Sequence, residues 1–207
     1  MSDRMIDTVV LDLGYVLVRW EPARPVLGRL PVPDTEAFLT EFDFMAFNHL
    51  QDAGRSWADA RVDLAASAPE HLAALDVYVE HFADTLPGPV PGTSDLVREL
   101  RALGIRLLGL TNWSAETFHL AEPAAPAIGL LEDVLVSGEV GVAKPDPRVF
   151  RLLTDRFGLR PERTVFVDDS AANVAAGAAA GFDAVLFTTA DALRASLVAR
   201  GVPLPRT

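Results

Sequence analysis

The second half of the chain alternates between short apolar runs and amphipathic stretches. The apolar runs are typical of buried strands: IRLLGL (105–110), DVLVS (133–137), TVFVD (164–168) and DAVLFT (183–188). The stretches between and after them carry apolar residues at helical spacing: SDLVRELRALG, SAETFHLAE, DPRVFRLLTDRFG, SAANVAAGAAAG and ADALRASLVARG. A further strand is predicted at TVVL, near the N-terminus. Strands that alternate with helices predict an α/β fold with a doubly wound parallel sheet, covered by helices on both faces.

Residues 20–91 depart from this alternation. Four stretches there are typical of helices, and none is typical of a strand: EPARPVLGRL, DTEAFLTEFDFMAF, SWADARVDLAAS and PEHLAALDVYVEHFADTL. The Pro- and Gly-rich LPGPVPGT (86–93) indicates a linker or hinge. We therefore expect a core formed by residues 1–19 and 92–207, with an all-helical domain inserted at residues 20–91.

Composition narrows the classes of partner and site. The formal net charge of -11 argues against a nucleic acid or an anionic membrane as partner, because both require a basic surface. The chain has no cysteine, which excludes disulfides and thiolate chemistry. No signal peptide and no membrane-spanning run is visible, so we expect a soluble cytoplasmic protein, as a monomer or homodimer.

Polar residues follow three of the predicted strands. Asp12 ends the first strand, Thr111 and Asn112 end the second, and Asp168–Asp169 ends the TVFVD strand; Lys144 lies in a loop just before a helix. Each could be no more than a turn or helix cap, and Lys144 could be a solvated surface cation. Ligands of open parallel sheets bind at the carboxyl ends of the strands, however, and all four features fall at that edge.

The residue types at this edge suggest one chemistry. Several carboxylates are costly to bury together unless a cation binds them, and a hard cation such as Mg²⁺ takes oxygen ligands like those of Asp12 and Asp169. Lys144 would then pair with an anion or a carboxylate, while Thr111 and Asn112 could donate hydrogen bonds to substrate oxygens. This set fits a phosphate held between Mg²⁺ and lysine, with a carboxylate as the attacking group.

Four segments, VVLDLGYVL, LGLTN, GVAKPDPRVF and VFVDDSAANVAAGAAAGF, resemble in order the four motifs of the haloacid dehalogenase-like (HAD) superfamily. The resemblance implies a Rossmann-like core with a helical cap domain, and a phosphatase similar to bacterial sugar-1-phosphate phosphatases. The resemblance implies that Asp12 is the nucleophile and forms an aspartyl-phosphate, while Thr111 and Asn112 bind the phosphoryl group. Lys144 would stabilise the charge on the phosphoryl group and on the nucleophile. Mg²⁺ would be bound by Asp12, Asp169 and the Gly14 carbonyl, with Asp168 and Asn173 supporting the metal site.

Gly14 departs from the family pattern, which places a second Asp two residues after the nucleophile as general acid and base. Losing a general acid typically costs about 10²–10⁴ in rate. We therefore expect substrates whose leaving group needs little help, such as an anomeric sugar oxygen. Tyr15 and Ser170 are the nearest groups that could compensate, and nothing in the sequence favours either.

Three functions remain open on the sequence. The expected one is a Mg²⁺-dependent phosphomonoesterase acting on a small phosphorylated metabolite, with a sugar phosphate as the expected substrate. The alternatives are a metal-independent 2-haloacid dehalogenase, disfavoured by Asp168–Asp169, and a catalytically impaired protein that binds phosphate ligands for regulation. Specificity is expected in the insert, where Asp52 and Gly54 lie either over the substrate or in an ordinary solvated turn. Trp20 and Trp113 either line the entrance or belong to the core.

Overall fold

The computed structural model describes residues 6–205, so residues 1–5 and 206–207 of the expected core lie outside the described part of the chain. Its centre is a five-stranded, wholly parallel sheet in the order β3-β2-β1-β4-β5. The strands are β1 (Thr8–Leu11), β2 (Arg106–Thr111), β3 (Asp133–Val136), β4 (Thr164–Asp168) and β5 (Asp183–Leu186). The expected α/β class with a doubly wound parallel sheet is confirmed.

Helices cover both faces of this sheet. Those of the chain after residue 92 are α5 (Thr93–Ala102), α6 (Ala121–Ala124), α7 (Ser137–Val140), α8 (Pro147–Phe157), α9 (Ala171–Ala179) and α10 (Ala190–Ala199). Helix α8 begins as its sequence predicts, because the Asp146 side chain caps it by accepting from the Arg148 amide. Gly177 allows α9 to approach the sheet, since a Cβ there would lie 2.5 Å from the Phe166 ring.

The segment between the first two strands is helical throughout its regular structure. It contains α1 (Val32–Glu36), a π-helical turn at Ala37–Glu41, α2 (Phe44–Asp52), α3 (Trp57–Ser67) and α4 (Leu72–Glu80), with short 3₁₀ turns at Pro69–His71 and Phe82–Thr85. No strand lies between residues 20 and 91 in the described structure. We call residues 20–91 the helical segment, and the division of the chain into domains at its ends stays a prediction.

Two predicted helices are absent. EPARPVLGRL forms a series of turns, because its prolines interrupt helical hydrogen bonding and Gly28 adopts a left-handed conformation at φ 73°. SAETFHLAE forms turns and a 3₁₀ turn at Phe118–Leu120 before the short α6. There the Ser114 hydroxyl accepts from the Glu116 amide and competes with helical hydrogen bonding.

The two stretches that connect the helical segment to the rest of the chain run antiparallel and are hydrogen-bonded to each other. The Arg19 amide donates to the Gly88 carbonyl at 2.9 Å, and the Val90 amide donates to the Leu17 carbonyl at 3.0 Å. One continuous apolar core links the segment to one face of the sheet, and a second core lies between the other face and helices α8 and α9. No helix within residues 6–205 is long and apolar enough to cross a membrane.

Candidate active site

The site lies at the carboxyl edge of the sheet, where β1 is flanked by β2 on one side and β4 on the other. Strand order reverses at β1, which makes this edge a crevice. Asp12 directly follows β1 and is only 8% exposed. Its backbone amide donates to the Val167 carbonyl at 2.9 Å, and its Oδ1 accepts from the Leu13 amide at 2.7 Å. The Asp12 carboxylate is therefore held in a defined orientation at the end of the central strand.

Lys144 connects the ends of three strands. Its Nζ lies 2.9 Å from Oδ1 of Asp12 and 2.7 Å from Oδ2 of Asp168, and it donates to the Leu110 carbonyl at 2.8 Å. The side chain is 1% exposed, so the ammonium is wholly desolvated and depends on these three partners. The sequence alternative of a solvated surface cation is therefore wrong.

The Asn112 side chain fixes the loop that carries this lysine. Its Nδ2 donates to the Lys144 carbonyl and its Oδ1 accepts from the Lys144 amide, both at 2.8 Å. Asn112 also lines the cavity described below. Thr111, by contrast, is buried at the end of β2 and is not among the residues that line that cavity. The phosphoryl-binding roles of Thr111 and Asn112 stay predictions.

Asp168 is completely buried and has hydrogen-bond donors on both oxygens. Its Oδ2 accepts from Lys144, while its Oδ1 accepts from the Ser170 amide and from Nδ2 of Asn173, each at 2.9 Å. These donors position the Asp168 carboxylate and leave it little capacity for other ligands. The next residue, Asp169, is exposed and lines the cavity.

Three carboxylates form a group that could hold a cation. Ligand oxygens of Asp12, Asp168 and Asp169 all lie within 4.8 Å of one another. Oxygen donors of this kind suit Mg²⁺, and the hydrogen-bonded state of Asp168 is consistent with the expectation that Asp12 and Asp169 bind directly while Asp168 and Asn173 support them. Gly14 lines the same cavity, as a backbone ligand to such a cation would have to.

Burial dominates the electrostatics of these acids. It raises the pKa of Asp12 to about 7, an effect that Lys144 opposes and Asp168 reinforces. The pKa of Asp169 is also raised, first by burial and then by the charge of Asp168. Both shifts have the direction expected of carboxylates that are buried close together. The surplus of negative charge at this edge is therefore a second indication that it receives a cation.

A cavity of about 170 Å³ opens above Asp12, between the sheet edge and the helical segment. The segment contributes Trp20, Asn48, Asp52, Trp57 and Phe82 to its lining. The sheet side contributes the remaining lining residues: Asp12, Gly14, Tyr15, Asn112, Trp113, Ser114, Thr117, Lys144, Asp169 and Asn173. Trp20 and Trp113 both line it, and Trp113, which is 6% exposed, also belongs to the apolar core. Ser170 is not part of the lining.

Asp52 is the last residue of α2 and is half-buried against the cavity. Burial raises the pKa of its carboxyl to about 7, with a further increase from the Asp12 charge and an opposing effect of Lys144. Nδ2 of Asn48, one helical turn earlier, donates to Asp52 at 3.3 Å. The alternative of an ordinary solvated turn is therefore wrong for this residue, which faces the same space as the nucleophile candidate.

Sequence reasoning missed two features of the site. Trp57 lines the cavity and is 6% exposed, and its Nε1 has no hydrogen-bond partner within residues 6–205. No local pattern announces this, because Trp57 lies in a helix whose apolar spacing is ordinary. The second feature can be seen in the sequence itself: Lys144 is the only lysine of the chain, and the other Lys or Arg positions are all arginine.

Comparison with known proteins agrees with this geometry. Residues 15–181 match the family model of haloacid dehalogenase-like hydrolases, a match that begins just after Asp12. The chain belongs to this family of hydrolases.

The curated relatives include both chemistries of the family. The chain is 30% identical to drimenol cyclase drtB of Aspergillus calidoustus over 93% of this chain and 36% of that protein. It is 33% identical to phosphoglycolate phosphatase of Rhodospirillum rubrum over 60% of this chain and 47% of the relative. It is 31% identical to (S)-2-haloacid dehalogenase 1 of a Pseudomonas species over 54% of this chain and 46% of the relative. The chain thus spans less than two thirds of the length of each of these relatives.

Solved structures support the fold. A HAD-like family hydrolase from Porphyromonas gingivalis superposes with a TM-score of 0.74 and 23% identity, covering 97% of this chain and all of that one. The HAD family enzyme bt-2542 from Bacteroides thetaiotaomicron, solved in complex with magnesium and inorganic phosphate, gives a TM-score of 0.69 at 19% identity, covering 89% of this chain and 95% of the other.

Proposed function

We propose that this hydrolase is a Mg²⁺-dependent phosphomonoesterase that acts on a small phosphorylated metabolite through an aspartyl-phosphate on Asp12. The observation that carries the proposal is the Asp12–Lys144–Asp168 arrangement next to Asp169. A buried ammonium fixes the nucleophile candidate, and further carboxylates collect at one side of it. Phosphoglycolate phosphatase among the relatives supports the same reaction class.

The three carboxylates are the groups that would hold Mg²⁺, with Asp12 and Asp169 as direct ligands. The ion would supply positive charge to a phosphate dianion that otherwise meets an acidic site. Lys144 would contribute its fixed charge next to Asp12, favour the ionised form of that carboxylate and hold it in position. Asp168 would hold the ammonium in place and take no direct part in bond making.

The acidic group favours a phosphatase over the dehalogenase alternative. A haloacid dehalogenase carries an anionic substrate to its aspartate without a metal, and a second and third carboxylate near that aspartate would repel the substrate. In this chain Asp169 is exposed to the same cavity as Asp12. These carboxylates would favour binding of an anionic substrate only if a cation were bound between them and the substrate.

The cavity lining favours a small polyhydroxylated alcohol as the part of the substrate beyond the phosphate. Aromatic rings of Trp20, Trp57 and Trp113 provide flat apolar walls on which a sugar ring can pack. Asn48 and Thr117 add polar groups to the same lining, as hydroxyl recognition requires. A cavity of about 170 Å³ suits an alcohol of the size of a monosaccharide or smaller.

The test is phosphate release from a panel of sugar phosphates, phosphoglycolate and nucleotides, each with Mg²⁺ and with EDTA. Asp12→Asn removes the nucleophile with little change in shape, and Asp95→Asn is the matched control, because Asp95 forms an exposed pair with Arg98 on α5. We expect release that requires Mg²⁺, disappears in Asp12→Asn and persists in Asp95→Asn.

Halide release from 2-chloropropionate is measured in parallel. Halide release that is indifferent to EDTA, with no phosphate from any ester, would replace the proposal with the dehalogenase. Binding of phosphate esters without any turnover would replace it with the regulatory protein.

A further inference from the structure

The family's usual acid and base is missing at position 14, and the missing side chain is not a matter of space. A Cβ at Gly14 would meet no atom within 4 Å, so the fold admits an aspartate there. The two neighbours considered from the sequence are poor substitutes. Ser170 does not line the cavity, and burial together with the charges of Asp169 and Glu21 raises the pKa of Tyr15 above its already high ordinary value. A useful acid must therefore come from elsewhere.

The helical segment places one carboxyl in the cavity, and it does so rigidly. The backbone after Asp52 turns at Gly54, whose amide donates to the Gln51 carbonyl and whose φ is +101°. This turn lies directly on the core: a side chain at Gly54 would begin 3.3 Å from the Cα of Gly141. The close backbone contact fixes how far Asp52 stands from the carboxyl edge of the sheet.

Arg55 locks the same turn from the other side. Its guanidinium donates to Oε1 of Gln51 at 2.6 Å and to Oδ2 of Asp63 at 2.9 Å, and it lies over the Phe47 ring. A solvated loop does not need such a set of contacts. A carboxyl that must meet a reacting atom does, because small displacements of catalytic groups cost large factors in rate.

We propose that Asp52, supplied by the helical segment, is the general acid and base of the reaction in place of the aspartate that Gly14 lacks. The inference rests on the proposed phosphomonoesterase activity. Asp52 lines the cavity that Asp12 also lines, so both carboxyl groups border the space into which a phosphate ester bound at Asp12 would extend.

The charges around Asp52 favour its acid form before reaction. It faces Asp12, Asp169 and Lys144 across the cavity, where the acids outnumber the ammonium, and Tyr15 is neutral. With its pKa raised to about 7, the Asp52 carboxyl can give up a proton near neutral pH and take one back. General acids work best when their pKa lies near the working pH.

The two steps balance as follows. An Asp12 oxygen attacks phosphorus, and the bond from phosphorus to the alcohol oxygen breaks. The alcohol oxygen keeps the electron pair of that bond and is protonated by Asp52. Water then attacks phosphorus and loses a proton to the Asp52 carboxylate. The bond from phosphorus to Asp12 breaks, which returns the Asp12 carboxylate, frees phosphate and leaves Asp52 protonated again.

The test compares Asp52→Asn with the wild type on two substrates that differ in the acidity of the alcohol. With the best sugar phosphate of the panel, kcat should fall about 10²–10⁴-fold, the usual contribution of acid–base catalysis, with little change in KM. With p-nitrophenyl phosphate the first step needs no acid. This variant should therefore release one nitrophenol per enzyme in a burst, followed by slow turnover while Asp12 stays phosphorylated. Wild-type enzyme should show no burst.

Two further variants keep the inference open to refutation. Asp76→Asn is the matched control, since Asp76 is a carboxylate of the helical segment in an exposed pair with Arg61; it should behave as wild type. Gly14→Asp added to Asp52→Asn should restore at least tenfold of the lost kcat, and absence of any gain would contradict a transferable acid–base role.

The outcomes separate the two proposals. A higher KM with unchanged kcat on both substrates would make Asp52 a binding residue and overturn this inference, while Mg²⁺-dependent phosphate release still supports the phosphatase. If wild-type protein releases no phosphate at all, the proposed function itself fails. If Asp52 supplies the acid, wild-type enzyme does not need substrates with easily departing alcohols, although Gly14 suggested that it would. The Asp52→Asn variant should then show this preference.

Discussion

Replacing Lys144 with methionine tests whether the ammonium is the electrostatic centre of the site. Methionine has a similar length and leaves little empty volume, so the change removes mainly the charge and its hydrogen bonds. Three partners are then stranded: the carboxylates of Asp12 and Asp168, paired at 2.9 and 2.7 Å, and the Leu110 carbonyl at 2.8 Å. Asp168, with a side chain 0% exposed, cannot turn to water, whereas Asp12 has a side chain 11% exposed toward the cavity.

The expected loss of stability follows from this burial. Breaking a buried ion pair by removing one partner costs roughly 3–5 kcal/mol, against a total stability of about 5–15 kcal/mol for a typical domain. Lys144→Met should therefore lower the free energy of unfolding by about 3 kcal/mol or more in EDTA at pH 7. Urea titration followed by far-ultraviolet circular dichroism measures this loss.

The double variant Lys144→Met with Asp168→Asn provides the control. It removes one of the stranded charges together with the lysine, so it should be more stable than the single lysine variant, and the cycle gives the coupling between the two side chains. A loss below about 1 kcal/mol for Lys144→Met, the range of exposed ion pairs, would refute the view that this ammonium is buried between carboxylates.

Three other predictions concern the helical segment and the single lysine. Gly54→Ala puts a Cβ against Gly141 and strains a φ of +101°, so it should lower kcat roughly tenfold to a hundredfold while circular dichroism stays unchanged; full activity would contradict the need for that close contact. Because the pKa of Asp52 is raised to about 7 by folding, ionising this carboxyl lowers the free energy of unfolding as pH rises from about 4 through 7. In EDTA, Asp52→Asn should therefore be more stable than wild type by about 1–2 kcal/mol at pH 8 and equally stable at pH 4. Urea titrations that show no gain at pH 8 would count against the burial of this carboxyl. An amine-acylating reagent should modify Lys144 only after unfolding, as peptide mass mapping will show, and rapid reaction of the native protein would mean that the site opens.

Strand ends carried most of what the sequence could predict about the site. Asp12 and Asp168 come together because the parallel strands β1 and β4 are neighbours and end at one edge of the sheet, and the alternation of strands and helices predicted a parallel sheet with such an edge. No local sequence pattern, however, indicated that the Asn112 side-chain amide would form hydrogen bonds with the backbone of Lys144. That contact joins residues 32 positions apart and depends on how the intervening loop folds.

The helical segment shows where sequence reasoning fails. Asp52 ends an ordinary amphipathic helix, and its place in the cavity depends on a backbone contact between Gly54 and Gly141, two glycines that no periodicity connects. The stretch EPARPVLGRL has apolar residues at helical spacing, yet Pro22 and Pro25 have no amide hydrogen to donate, and its hydrogen bonds form turns instead of a continuous helix. Patterns of hydrophobicity define faces, whereas tertiary contacts decide which face meets the site.

The most direct test of the account is to look for the phosphoryl group on Asp12 itself. Wild-type and Asp52→Asn proteins are mixed with p-nitrophenyl phosphate and Mg²⁺, quenched in acid, digested with pepsin and mapped by mass spectrometry. We expect a phosphorylated peptide that contains Asp12, accumulating in the Asp52→Asn protein and absent when EDTA replaces Mg²⁺. Phosphate release without any phosphorylated Asp12 peptide, or with the phosphoryl group on another residue, would contradict it.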